Sequence, residues 1–170
     1  MSEVLKRWNL LSPEEAEKEI LACCGSQAWA RGIAERRPFE DAAPLLAASD
    51  QVWRGLRKQD WLEACESHPR IGESAAKKAA SGRSAEWSAQ EQRSVGVEDD
   101  ASKSALAEGN REYEARFGRI FIVCASGKGG AEILAILRRR LQNDDDTEWR
   151  ETAEQQRQIT QIRLRKWLGE

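Results

Sequence analysis

At 170 residues the chain is long enough for one ordinary domain, and a chain of this size buries roughly 70% of its unfolded surface, so a core needs neither metal nor disulfides. Its 27 basic and 29 acidic residues leave a net charge of −2, which excludes the broad basic field of a nonspecific nucleic-acid binder. No run approaches the about 18 apolar residues of a membrane span, and Met1 to Trp8 carries charge instead of an apolar leader, so the expectation is a cytoplasmic protein that does not enter a membrane.

Ser12-Pro13-Glu14-Glu15 combines an N-cap serine, proline at the first helical position and glutamate three residues after the cap, and predicts a helix running to about Cys24-Gly25. Ser26 caps a second helix carrying Trp29 and Ile33, and Arg37-Pro38-Phe39 stops it, because a residue before proline disfavours helical backbone. From Glu40 to Leu56 the apolar residues Leu45, Leu46, Val52, Trp53 and Leu56 predict another helix, with a break near Ser49-Asp50; Asp60 then caps a short one through Cys65. Between His68 and Glu86 the apolar period stops, giving the longest irregular stretch, and loops of that length in compact domains tend to carry function.

Helix resumes at Ser88, is interrupted near Gly96 and continues to Phe117-Gly118, with Leu106, Tyr113 and Phe117 as buried candidates. Arg119 to Ala125 is the one run that reads like a strand, but no second strand exists to pair with it, so a buried irregular or helical connector is equally consistent. Ala131 to Leu141 is an amphipathic helix, Asn143 to Thr147 a loop rich in caps, and Glu148 to Leu168 the last helix. No repeat or internal boundary interrupts the chain. The expectation is an all-α fold, a single-domain bundle of about seven to nine helices covering residues 1–170.

Seven tryptophans against three phenylalanines and one tyrosine are expected as core or interface anchors. Cys23, Cys24, Cys65 and Cys124 form no Cys-x-x-Cys pair, so they read as buried free thiols and no metal site is expected. The basic runs Arg138 to Arg140 and Arg163 to Lys166 read as solvated helix faces. Ser126-Gly127-Lys128-Gly129-Gly130 fails as a phosphate loop, which would need glycine at Ile122 and a hydroxyl at Gly129, and reads as a turn. Asp144-Asp145-Asp146 lacks the alternating ligands of a calcium loop and reads as capping.

His68, the only histidine, is the one side chain whose ordinary pKa lets it take and give protons near neutrality, and it stands beside Pro69 at the mouth of the irregular stretch. Ser88-Ala89-Gln90-Glu91 fits a capping box; the same helix start would offer Glu91 and spare N–H donors to a polar or anionic substrate.

Three runs in order, Ser67-His68-Pro69-Arg70-Ile71-Gly72, then Trp87-Ser88 with Glu91-Gln92, then Arg116-Phe117-Gly118 with Phe121-Ile122 and Cys124-Ala125, resemble the 2-oxo-4-hydroxy-4-carboxy-5-ureidoimidazoline (OHCU) decarboxylases of uric acid degradation. Trp29-Ala30, Arg37-Pro38-Phe39 and the tail Gln158-Ile159 with Ile162-Arg163-Leu164 extend the resemblance along nearly the whole chain. It implies an all-helical, homodimeric enzyme that removes CO2 from OHCU to give (S)-allantoin with no cofactor. It also implies that His68 is catalytic and that Glu91 orients it or holds substrate. Pro69, Ser88, Gln92, the segment Phe121, Ile122, Val123, Cys124 and Ala125, and Arg163 as an anion-binding arginine are implied to contact substrate. Relatives often carry arginine where this chain has Ser126. The chemistry fits these groups, because loss of CO2 leaves negative character that must be stabilised, by helix-end and peptide N–H donors here, and then protonated on one face. A rival of a different class is a non-enzymatic helical partner-binding module, which requires the tryptophans to form an exposed aromatic face.

Overall fold

The computed structural model describes residues 2–72, 82–95 and 100–170. Among them are nine α-helices and no strand: α1 Glu3–Asn9, α2 Pro13–Ile20, α3 Gln27–Ala34, α4 Ala42–Arg54, α5 Lys58–Glu66, α6 Gly82–Glu91, α7 Asp100–Phe117, α8 Gly130–Arg140 and α9 Asp145–Leu168. The all-α expectation holds. The chain groups into two compact units, one of Met1–Ala64 with Arg157–Glu170 and one of Cys65–Gln156, so α9 gives its first half to the second unit and its second half to the first.

In the first unit, the Ser12 box forms as the sequence requires: its hydroxyl accepts from the Glu15 N–H, and the Glu15 carboxylate accepts from the Ser12 N–H. The Ser12 hydroxyl, donating to the Glu15 carboxylate at 2.7 Å, and then the Ser12 N–H hold that carboxyl below its ordinary pKa. α2 ends at Ile20 and a short 3₁₀ turn, Leu21–Cys23, carries the chain to Gly25, whose φ of 86° is the left-handed exit that glycine allows. Ser26 caps α3 through the Trp29 N–H. α4 runs unbroken through Ser49, because Ser49 turns inward and accepts from the Trp29 indole N–H at 3.3 Å. Asp60 lies inside α5 and reaches back to the Arg57 N–H, which places the helix start before it. Trp8 is fully buried, donates to the Ala16 carbonyl at 3.0 Å and packs edge-on against Trp167. α1, which sequence periodicity did not reveal, starts at a Ser2 cap and buries Leu5 and Trp8.

The second unit has an apolar cluster of Ile71, Val95, Leu106, Tyr113, Phe121, Val123, Ala125, Ile133, Leu137 and Leu141. α7 and α8 approach closely at Gly109, where an added Cβ would sit 2.6 Å from Leu137 Cδ2. α7 ends at Phe117, and Gly118, with φ of 67°, turns the chain. Residues 119–125 follow without regular structure, so of the readings left open the irregular buried connector is the correct one. Its alternate residues Phe121, Val123 and Ala125 enter the apolar cluster, the period of two expected of extended backbone. Asp144 caps α9 as the acidic run predicted, accepting from the Thr147 N–H at 2.8 Å and from its hydroxyl at 2.9 Å, and both bonds hold the Asp144 carboxyl below its ordinary pKa.

Two further expectations are corrected. α6 begins at Gly82, six residues before Ser88, so residues 82–86 are helical instead of irregular; the rest of the long stretch, 73–81, and the Gly96 interruption lie outside the described residues. Arg140 and Arg163 are each 1% exposed, so neither basic run is wholly a solvated face.

Candidate active site

His68 follows the last turn of α5, where its own N–H closes on the Cys65 carbonyl at 3.1 Å. The ring is half-buried, and its Nε2 lies 2.7 Å from Oε1 of Gln156, a fully buried residue on α9. Pro69 is half-buried beside it. Beyond Arg70, which donates from Nε and Nη2 to the two carboxylate oxygens of Glu114, the motif closes at Gly72. The Gly72 backbone, at φ of 82°, donates its N–H to Gln92 Oε1 at 3.0 Å, while Asn110 Nδ2 donates to the Ile71 carbonyl at 3.0 Å. Gln92 therefore ties the end of α6 to the histidine-bearing turn.

Gly72 gives a direct test of that turn. An alanine there would hold its Cβ 3.0 Å from Leu106 Cδ2 and take up a left-handed backbone. Gly72→Ala should destabilise the protein by about 1–2 kcal/mol, visible as a lower urea midpoint; an unchanged midpoint would show that the turn relaxes freely.

Ser88 and Glu91 do not form a capping box. With α6 starting at Gly82, Ser84, Trp87, Ser88 and Glu91 recur at helical spacing and make one buried face, and the Ser88 carbonyl accepts from the Gln92 N–H at 3.1 Å within the helix end. The free helix-start donors expected near Ser88 are consequently absent. What the face supplies instead is a buried carboxylate, Glu91, 9% exposed, and a buried hydroxyl, Ser88.

The 121–125 segment is held by its peptide groups. Arg140 Nη1 donates to the Ile122 carbonyl at 2.6 Å, Lys128 Nζ to the Cys124 carbonyl at 2.9 Å, and the Cys124 N–H donates to Gln155 Oε1 at 2.9 Å. Lys128 thus bonds back onto this segment, consistent with the turn reading of the glycine run. The Cys124 N–H is already committed, which removes it from the peptide donors expected to meet a developing oxyanion. Gln155 and Gln156, neighbours on α9, fix the Cys124 peptide and the His68 ring.

Behind Gln156, Glu148 and Thr152 are also 0% exposed, so the first half of α9 turns a polar stripe inward at intervals of four residues. Glu148 Oε1 accepts from Arg140 Nε at 2.8 Å, from Arg140 Nη2 and from the Tyr113 hydroxyl, and Oε2 accepts from Asn143 Nδ2 at 2.9 Å. Burial pushes the Tyr113 hydroxyl up to about 12, so it stays a neutral donor. The Arg140 guanidinium also stacks 4.6 Å from the Phe121 ring. Sequence reasoning missed Gln155, Gln156, Asn110 and this pair; the only signal was that α9 lacks a continuous apolar stripe before Ile159.

Arg163 falls in the first unit, buried with Cys24 nearby, whose thiol burial pushes up to about 12. All four cysteines are buried and outside any disulfide, as expected. Among the described residues no group of three or more His, Cys, Asp or Glu could hold a metal, and no helix is long and apolar enough to cross a membrane. The tryptophans make no exposed face: Trp8, Trp29, Trp53, Trp87 and Trp167 are buried, Trp61 and Trp149 half-buried, and the exposed large hydrophobic among the described residues is Leu10.

Fold and site together define an all-helical protein with a histidine-centred polar site. The family profile described as OHCU decarboxylase matches residues 9–165, and the chain belongs to that family. It is 31% identical over 160 residues to the uric acid degradation bifunctional protein TTL of Arabidopsis thaliana, an alignment covering 94% of this chain and 49% of the relative. With the uric acid degradation bifunctional protein of Bacillus sp. (strain TB-90) it shares 24% identity over 171 residues, covering 98% of this chain and 32% of the relative. The chain thus spans half or less of these relatives' length. A crystal structure of OHCU decarboxylase in the presence of (S)-allantoin superposes with a TM-score of 0.77 at 29% identity, covering 89% of this chain and 98% of the other. A crystal structure of (S)-allantoin synthase shares the fold, with a TM-score of 0.71 at 18% identity over 96% of this chain and 53% of the other.

Proposed function

We propose that this chain is a carboxy-lyase that converts OHCU to (S)-allantoin and CO2 in uric acid degradation, acting without metal or organic cofactor. It would work as one domain over residues 1–170, in the cytoplasm and as a homodimer. The observation that carries the reading is one unit that holds the only histidine, the buried Glu91 carboxylate and the peptide segment 121–125, in a chain matched by the family profile over residues 9–165.

Breaking the bond from the ring carbon to the carboxylate releases CO2 and leaves an electron pair, which the neighbouring C=N accepts while its nitrogen takes a proton. The resulting enol carries the former ring hydroxyl. It becomes the product when the hydroxyl proton leaves and the carbon bearing the ureido group is protonated on one face. His68 can perform both of these transfers, since one imidazole takes and gives a proton at neutral pH. Glu91 would hold ring N–H groups as an acceptor, with Ser88, Gln92, Pro69 and the Phe121, Ile122, Val123, Cys124 and Ala125 segment enclosing the substrate. With the Ser88 helix-start donors and the Cys124 N–H excluded, the enol oxygen would be met by side-chain donors of this set, such as Ser88 and Gln92.

The test follows freshly generated OHCU by ultraviolet absorbance and circular dichroism with and without the protein, in chelating buffer. Faster decay with a one-handed product is expected. Decay at the unassisted rate, with racemic allantoin, would reject the activity.

A further inference from the structure

We propose that Gln156 is the positioning residue of His68: its buried amide oxygen accepts the Nε2–H of the imidazole, fixes the ring in that tautomer and leaves Nδ1 as the atom that exchanges protons with substrate. The inference rests on the reading of His68 as the acid–base group. It adds which nitrogen reacts and which residue decides it.

The geometry carries the assignment. Gln156 Oε1 lies 2.7 Å from His68 Nε2, and an amide oxygen only accepts, so the nitrogen facing it must bear hydrogen. A neutral imidazole has one N–H, and a buried acceptor at Nε2 places it there. Gln156 has no exposed surface, so water does not compete for this bond, and it stands on α9 one turn after Thr152 and two turns after Glu148, both fully buried. The neighbouring Gln155 accepts from the Cys124 N–H at 2.9 Å, so one turn of a long helix sets the ring and the peptide segment in register. An amide suits this position better than a carboxylate. It holds the N–H without adding a charge that would trap the ring as imidazolium, so the ring can return to its base form in each cycle.

His68 is the only histidine, so a long-range ¹H–¹⁵N correlation on the full-length, uniformly labelled protein shows a single imidazole. Above its titration, the ring should appear as one undivided tautomer, with Nε2 protonated and Nδ1 not. Gln156→Met, nearly isosteric but unable to accept this bond, should drive the two nitrogen shifts toward a tautomer mixture. It should also lower kcat by about tenfold to a hundredfold, the range seen when a partner that orients a ligating histidine is lost, while KM stays within a few-fold. Gln156→Glu should restore the single tautomer. A wild-type ring protonated on Nδ1, or unchanged ring shifts in Gln156→Met, overturns the proposal. The wild-type spectrum decides even if the methionine variant does not fold. No OHCU turnover beside the expected spectrum would defeat the functional reading alone, whereas turnover beside an Nδ1–H ring would defeat the positioning role alone.

Discussion

Replacing His68 by asparagine is expected to lower kcat on OHCU by about 10²- to 10⁴-fold, the contribution a positioned acid–base group makes, with KM changed only a few-fold. The imidazole is the one side chain in the sequence whose ordinary pKa lets it both take and return a proton near neutrality. Asparagine removes the titrating ring and also weakens the bond to Gln156, because its amide nitrogen lies nearer the Nδ1 position. His68→Gln separates the two effects. Its terminal nitrogen reaches closer to the place of Nε2 and can still donate to Gln156 Oε1, so the local packing is kept without the acid–base function. Both variants should retain the helical circular dichroism of the parent and both should be slow. Near-full turnover in the folded asparagine variant would remove His68 from the chemistry; recovery in the glutamine variant alone would make its role structural.

The parts of this molecule that were legible in the sequence are those whose cause is local. Ser12, Ser26 and Asp144 cap helices because a side-chain oxygen meets an N–H two or three residues on, and that spacing is visible in one dimension. His68 was legible by being unique. Ser88 to Glu91 misled because the same four residues satisfy a capping box and one face of a continuing helix. What decides between them is the burial of Ser84 and Trp87, a tertiary matter. The start of α5 slipped for a related reason, since an aspartate three residues into a helix reaches back to the cap with the same oxygen that a cap would offer forward. The polar stripe of α9 was hidden most fully. Glu148, Thr152 and Gln156 resemble a solvated face, and Arg140 a solvated cation, until Tyr113, Arg140 and His68 arrive from distant parts of the chain to satisfy them.

That dependence makes the Arg140–Glu148 pair the most sensitive structural point of the second unit. Arg140 is 1% exposed and Glu148 0%, so neither charge can recover hydration if the other is lost. Glu148→Ala should cost about 3–5 kcal/mol, the penalty for breaking a buried pair, with Glu151 Oε2, 3.3 Å from Arg140 Nε, left as the guanidinium's remaining carboxylate. For a chain of this length that lowers Tm by roughly 6–20 °C. The Tyr113 hydroxyl and Asn143 amide lose their acceptor in the same variant, which moves the expectation toward the upper end. Arg140→Met should cost a similar amount for the opposite reason, stranding the carboxylate, and it also frees the Ile122 carbonyl from its 2.6 Å bond. The double variant Arg140→Met with Glu148→Leu removes both charges together, so its loss should be well below the sum of the single losses, a coupling that a double-mutant cycle reads directly. The two effects of Arg140 then separate: stability returns in the double variant, but turnover stays low, because methionine cannot hold the peptide of Ile122. Additive losses would show that the pair does not act as a unit, and full turnover in the double variant would show that the Ile122 bond does not position the site.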